Sequence, residues 1–299
     1  MIVVLGSINA DLIAGVERLP HAGETLAGHS FSMSPGGKGA NQALAARRAG
    51  ARVALYGAVG RDAFAEPALA LLRVDGVDVE NVRSVDTATG VALIHVDVHG
   101  ENAITVIAGA NARATAGQVA EEALGASTTV IMQLEIPQAE VVALARGARA
   151  SGSRVVLNAA PAAALPPELF HDIDVLVVNE HEAQTLADAL RMAAKPEAFV
   201  VEFHARFSAD AIVSLGSRGL VASSASGPIA LASPSVHVVD TIGAGDALVG
   251  AIAAALDRSA PWIRALKEGV AAGAVACTRA GAQASLPYRH EISALADTI

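Results

Sequence analysis

Short runs of β-branched and aliphatic residues, closed by Gly, Asn or another polar residue, recur along this chain. Between them lie longer stretches in which apolar positions repeat at helical spacing. The short runs predict buried strands over Ile2–Leu5, Val53–Val59, Thr129–Leu134, Arg154–Asn158, Val175–Val178 and Ala211–Leu215. The longer stretches predict helices over about Ala40–Ala49, Ala63–Val74, 115–124, Gln138–Ala150, Glu180–Leu190 and Ala247–Leu256. Such alternation implies an α/β fold with a mostly parallel sheet covered by helices on both faces. Two places break it. Gly90–Val98 and Ala103–Ile107 read as a hairpin with no helix between them, and residues 13–35 hold strand-like pieces interrupted by Pro20, Gly23, Gly28 and Pro35. Together they suggest a small accessory sheet. A further hairpin around 219–237 leads into the turn Asp240–Gly245.

Composition narrows the function classes. Hydrophobic residues are 53% of the chain and aromatics only 3%, so the core is built from alanine-rich helix packing rather than an aromatic binding surface. A net charge of −9 argues against a nucleic-acid or anionic-membrane partner. Any phosphate site must therefore be local, made of backbone amides and a few Lys or Arg. Cys277 is the single cysteine, which excludes intrachain disulfides and multi-cysteine zinc sites and points to a reducing, cytoplasmic setting. The first residues lack the basic and apolar regions of a signal peptide, and no apolar run approaches the ~20 residues of a membrane span.

Candidate chemistry gathers at the predicted strand ends and glycine turns. Gly243 and Gly245 precede an apolar helix, and a glycine turn at a helix start leaves N–H groups free beside partial positive charge. That is an anion site of the kind phosphate uses. Asp246 there is either a base for an attacking hydroxyl or a helix cap. Asn9 and Asp11, two apart after the first strand, can hold a polyol from one face or can simply form a polar turn. Gly36-Gly37-Lys38-Gly39 is a permissive loop ending in Lys38 and Asn41, and it lacks P-loop spacing. Asn179 and Glu182, three apart at a helix start, suit a water-rich Mg²⁺ or a capping box.

Gly36-Gly37-Lys38-Gly39-Ala40-Asn41 and Asp240-Thr241-Ile242-Gly243-Ala244-Gly245-Asp246 resemble the two signatures of the ribokinase-like (pfkB) carbohydrate kinases. The likeness continues, in order, through Gly6–Asp11, Gly23-Glu24-Thr25, Gly109-Ala110-Asn111, Gln133-Leu134-Glu135, Asn158–Pro161, Asn179–Glu182, Leu215–Gly219 and Thr278–Gln283. Residues 188–207 match poorly. The resemblance implies a three-layer α/β core over 1–12, 36–88 and 109–299, with a β-sheet lid over 13–35 and 89–108. It implies ATP-dependent phosphorylation of D-ribose at the 5-hydroxyl; another sugar or nucleoside kinase of the family, or an inactive sugar-binding regulator, are the alternatives. By the same likeness Asn9, Asp11, Gly37, Lys38, Asn41 and Glu135 would hold the sugar, and Asp246 would take its proton. Gly243, Ala244 and Gly245 would stabilise the transferring phosphoryl group. Asn179, Ser214, Leu215, Gly216, Ser217, Arg218, Gly219, Gly245 and Val270 would line the nucleotide site. Asn179 and Glu182 would organise Mg²⁺ through water, and Asp240, Ile242, Ala276, Arg279, Gly281 and Ser285 would hold a monovalent cation, normally K⁺. A homodimer through the lid is also implied.

Overall fold

The computed structural model describes residues 1–299. Nine strands form the larger sheet, in the spatial order Gly227–Leu231, Leu220–Ser224, Asp210–Ser214, Val175–Asn179, Arg154–Asn158, Thr129–Met132, Ile2–Leu5, Val53–Gly60 and Val82–Val85. The seven from Asp210–Ser214 onward are parallel, and the first two form an antiparallel hairpin at the edge. Alternate strand residues serve opposite faces. Ile2, Val4, Val175 and Val177 join one core, while Val3, Leu5, Leu176 and Val178 join the other. Both faces are thus buried, which is why these strands read as continuous apolar runs.

The first core is alanine-rich and packs very closely. A Cβ added to Gly250 would lie 2.5 Å from the Ala45 Cβ and 2.7 Å from the Ala46 nitrogen. The helices Lys38–Arg48 and Ala244–Asp257 therefore pack backbone against backbone at that point. Gly250 is four residues after Asp246, and Ala45 is four after Asn41, so the same helix faces bring Asn41 to Asp246 one turn earlier.

The second core holds most of the scarce aromatic residues. Helix Pro196–Phe207 presents Phe199, Phe203 and Phe207 at four-residue spacing, and Phe170 meets Phe203 edge-to-face at 5.2 Å. Such a pair contributes about 0.5–1.5 kcal/mol beyond its buried area. The sequence reading gave no element to this stretch, although Pro196 at the first helical turn and the Phe spacing mark one. A helix expected over 115–124 is instead two short 3₁₀ turns, Ala116–Gln118 and Glu121–Ala123. Between Thr115 and Gly125 only Val119 is buried, so no apolar face exists to hold a longer helix.

The smaller sheet has the order Ser30–Gly36, Asn9–Gly15, Gly90–Val96 and Asn102–Ile107. It begins earlier than the expected division at residue 12. Asn9 already pairs with Gly36 and Gly90, so residues 9–12 belong to this sheet rather than to the core. No helix is long and apolar enough to cross a membrane.

Candidate active site

The turn before helix Ala244–Asp257 is built as its glycines require. Gly243 caps the helix in the left-handed region at φ 78°. The Asp240 carboxylate binds the turn together, its Oδ1 accepting from the Ile242 N–H at 3.0 Å and its Oδ2 from the Gly281 N–H at 2.8 Å. The Ala244 N–H donates weakly to Thr241 O at 3.3 Å, whereas the N–H groups of Gly243, Gly245 and Asp246 have no acceptor. Three free donors at a helix start can receive an anion; they are the N–H groups of Gly243, Gly245 and Asp246, whereas the expectation named Gly243, Ala244 and Gly245.

Asp246 is buried and does not cap its own helix. Its Oδ2 accepts from Asn41 Nδ2 at 2.9 Å and its Oδ1 from Gln42 Nε2 at 2.8 Å. Lys38, at the start of the same helix as Asn41, completes this charge arrangement. Burial alone would lower the Lys38 pKa, but the carboxylates of Asp246, Glu135 and Glu182 outweigh it and hold the ammonium charged.

Glu135 is fixed by Ser7 Oγ at 2.6 Å and by the Lys38 N–H at 3.0 Å, both donating to Oε2. Asn9 Oδ1 accepts from Asn111 Nδ2 at 2.7 Å. Gly37 has φ 90°, and a Cβ there would lie 2.8 Å from the Asn9 nitrogen, so this loop tolerates only glycine. Asp11 lies against Gly36, where a Cβ would come within 2.2 Å of Asp11 Oδ2. Burial, with added repulsion from Glu135 and Asp246, pushes the Asp11 carboxyl up to about 7. Asn9, Asp11, Gly37, Lys38, Asn41, Glu135 and Asp246 thus form one neighbourhood between the two sheets.

Lys38, Asp246, Asn158, Asn179, Glu182 and Gly243 line a cavity of about 230 Å³. It adjoins a cleft of about 490 Å³, and Ser214, Thr241, Gly245 and Leu248 line both. Gly216, Ser217, Gly219 and Val270 also line the larger cleft. Leu215 and Arg218 do not. The Leu215 N–H closes the turn onto Gly219 O, and Arg218 is drawn outward into an ion pair with Glu180.

Asn179 and Glu182 form a reciprocal capping box, each side chain accepting from the other's N–H at 2.8 Å. That uses Oε2 of Glu182, and Oε1 has no hydrogen-bond partner in a residue that lines the cavity. Burial raises the Glu182 pKa, outweighing the bond from the Asn179 N–H and the charge of nearby Lys38. No group of three or more acidic, His or Cys side chains is arranged to hold a metal ion. A metal here would take one carboxylate and otherwise water or phosphate oxygens, which suits Mg²⁺. Near the Asp240 turn, the Arg279 side chain pairs with Glu291, so only its backbone is left for a cation, and Ser285 Oγ donates to Ala282 O at 2.9 Å. Asp240 retains lone pairs after its two backbone bonds, so the 240–243 and 276–285 loops can hold a small cation.

Several residues that shape the site escaped the sequence reading as site residues. Ser7, Gln42, Asn111 and Gln133 are fully or almost fully buried polar side chains, and each bonds to a predicted site residue or to a neighbour of one. A polar residue inside an apolar-periodic stretch, as Gln42 is, was the available signal.

Comparison with known proteins identifies the family. The model of the pfkB family carbohydrate kinases matches residues 1–289. The chain is 36% identical to a ribokinase of Haemophilus influenzae over 296 residues, covering 97% of this chain and 96% of the relative. It is 38% identical to a ribokinase of Schizosaccharomyces pombe over 307 residues, covering 97% and 96%. It is also similar to the Arabidopsis thaliana ribokinase structure complexed with ribose and ATP, with a TM-score of 0.87, 30% identity, and 99% and 98% coverage. The chain belongs to the pfkB family of carbohydrate kinases.

Proposed function

We propose that this chain transfers the γ-phosphoryl group of ATP to the 5-hydroxyl of D-ribose. The observation that carries the proposal is the Asp246 carboxylate, held between Asn41 and Gln42 beside three unpaired helix N–H groups and the Lys38 ammonium. Resemblance to ribokinases over nearly the whole chain supports ribose as the acceptor.

In this reading Asn9, Asp11, Lys38, Asn41 and Glu135 bind the sugar hydroxyls, and the Gly37 backbone lets them close around it. Asp246 accepts the proton of the attacking hydroxyl, a role typically worth about 10²–10⁴ in rate. The N–H groups of Gly243, Gly245 and Asp246 stabilise charge on the moving phosphoryl group, each such donor being worth roughly 10²–10³. The cleft lined by Ser214, Gly216, Ser217, Gly219 and Val270 receives the nucleotide. Glu182, with Asn179, would hold Mg²⁺ through water, and the ion would supply positive charge against the phosphates. Asp240, which joins the turn at Ile242 to Gly281, would with its two loops hold K⁺ beside the anion site.

The small sheet acts as a lid and as the dimer face. Phe31, Met33 and Leu93 are exposed on one face by strand register, opposite the face that carries Asp11. An apolar surface of that kind suits a second copy of the chain. The lone Cys277 suits a reducing cytoplasm.

The test is a coupled assay with ribose, deoxyribose, fructose and adenosine, on the wild-type protein and on Asp246→Asn. Ribose is expected to have the highest kcat/KM, and Asp246→Asn to lose about 10²–10⁴ in kcat. Far better turnover of another acceptor would overturn the substrate. Full activity in Asp246→Asn would overturn the mechanism.

A further inference from the structure

We infer that Gln42 is a positioning residue that sets the orientation of the Asp246 carboxylate through a buried chain of amides anchored on two central strands. The inference rests on the reading of Asp246 as the base.

Gln42 is fully buried, so it acts on the reaction only through its neighbours. Its Nε2 donates twice, to Asp246 Oδ1 at 2.8 Å and to Asn158 Oδ1 at 2.9 Å. Its Oε1 accepts from Gln133 Nε2 at 2.8 Å. Reversing the amide would set its oxygen against two acceptor oxygens and its nitrogen against an N–H donor, so one orientation is enforced. Asn158 ends the strand Arg154–Asn158 and donates on to Val177 O at 2.9 Å. Gln133 directly follows the strand Thr129–Met132. The carboxylate angle is thereby tied to the ends of two rigid strands rather than to helix Ala244–Asp257 alone. Gly6 makes room for this chain, because a Cβ there would lie 2.1 Å from Gln133 Oε1.

A base must present a lone pair to the reacting hydroxyl. Asn41 and Gln42 each occupy one lone pair on a different oxygen, which fixes the direction of those remaining. A displacement of about 1 Å can cost on the order of 10² in rate. Lys38, Glu182, Glu135 and Asp11 supply charge around the carboxylate but no hydrogen bond to it.

The experiment compares Gln42→Met, Gln42→Glu and Asp246→Asn by steady-state kinetics across pH, with ribose affinity measured by calorimetry. Gln42→Met is expected to lose about 10- to 100-fold in kcat while ribose affinity stays within a few-fold. Gln42→Glu can donate to Asp246 only when protonated, so its activity relative to wild type is expected to rise as pH falls. Gln42→Met with wild-type kcat, or Gln42→Glu with a wild-type pH profile, would overturn the inference while leaving the base intact. Full activity in Asp246→Asn would instead overturn the reading of the base. Should Gln42→Met not fold, the pH profile of Gln42→Glu decides alone.

Discussion

Asp11→Asn exchanges stability and sugar affinity in opposite directions, because the Asp11 carboxyl is raised from 3.8 to about 7 by burial and by Glu135 and Asp246. A group whose folded pKa is raised favours the folded state below its unfolded pKa. That advantage is lost as pH climbs through the folded value. The free enzyme should therefore lose stability between about pH 4 and pH 7. The ceiling is the shift of about 3 units at 1.36 kcal/mol each, or about 4 kcal/mol. Asparagine has nearly the same shape and never ionises, so the variant escapes the loss. At about 2.1 cal/mol/K per residue, 299 residues convert each kcal/mol into about 1.6 °C, and the ceiling into about 6 °C. The assay is a thermal unfolding series without sugar, at steps from about pH 5 to about pH 8. The Tm difference, variant minus wild type, should widen with pH and level off above about 7. A hydrogen bond from a sugar hydroxyl to a carboxylate is worth roughly 1.5–3 kcal/mol, so the same variant should bind ribose roughly 10- to 100-fold more weakly. A pH-independent Tm difference, or unchanged ribose affinity, would refute the reasoning.

Gly90→Ala would place a Cβ 2.2 Å from Asn111 Nδ2 and 2.3 Å from Asn9 Oδ1, so it should raise the ribose KM at least several-fold with a smaller effect on kcat. Unchanged KM in steady-state kinetics would remove Asn9 from the sugar site. Phe31 is 72% exposed on the lid, and Phe31→Glu should convert a dimer to a monomer in sedimentation analysis. A monomeric wild type would sink the lid interface. Rates should be higher in K⁺ than in Na⁺, with the difference abolished in Asp240→Asn, which loses the carboxylate that accepts from the Ile242 and Gly281 N–H groups. Equal rates in both salts for the wild type would count against that site.

The sequence by itself determined the α/β alternation, the two glycine loops and the carboxylate at the helix start. These are local properties: strand runs such as Ile2–Leu5 are apolar because both faces are buried, and Gly37 and Gly243 mark positive φ. The segment 115–124 misled because alanine and glycine there imitate a helix without an apolar face to bury. Asn179 and Glu182 remained ambiguous, since a capping box and a water-mediated metal site use the same residues at the same spacing. Tertiary structure alone decided how Asn41 and Gln42 reach Asp246, about 200 positions away, because that contact depends on Gly250 admitting the Ala45–Ala46 backbone. It alone assigned Arg218 outward to Glu180 and tied Asn9 of the small sheet to Asn111 in the turn Gly109–Arg113. Hydrogen-bond partners distant in sequence leave no periodic trace in the chain, and they become visible only when packing sets the distances between elements.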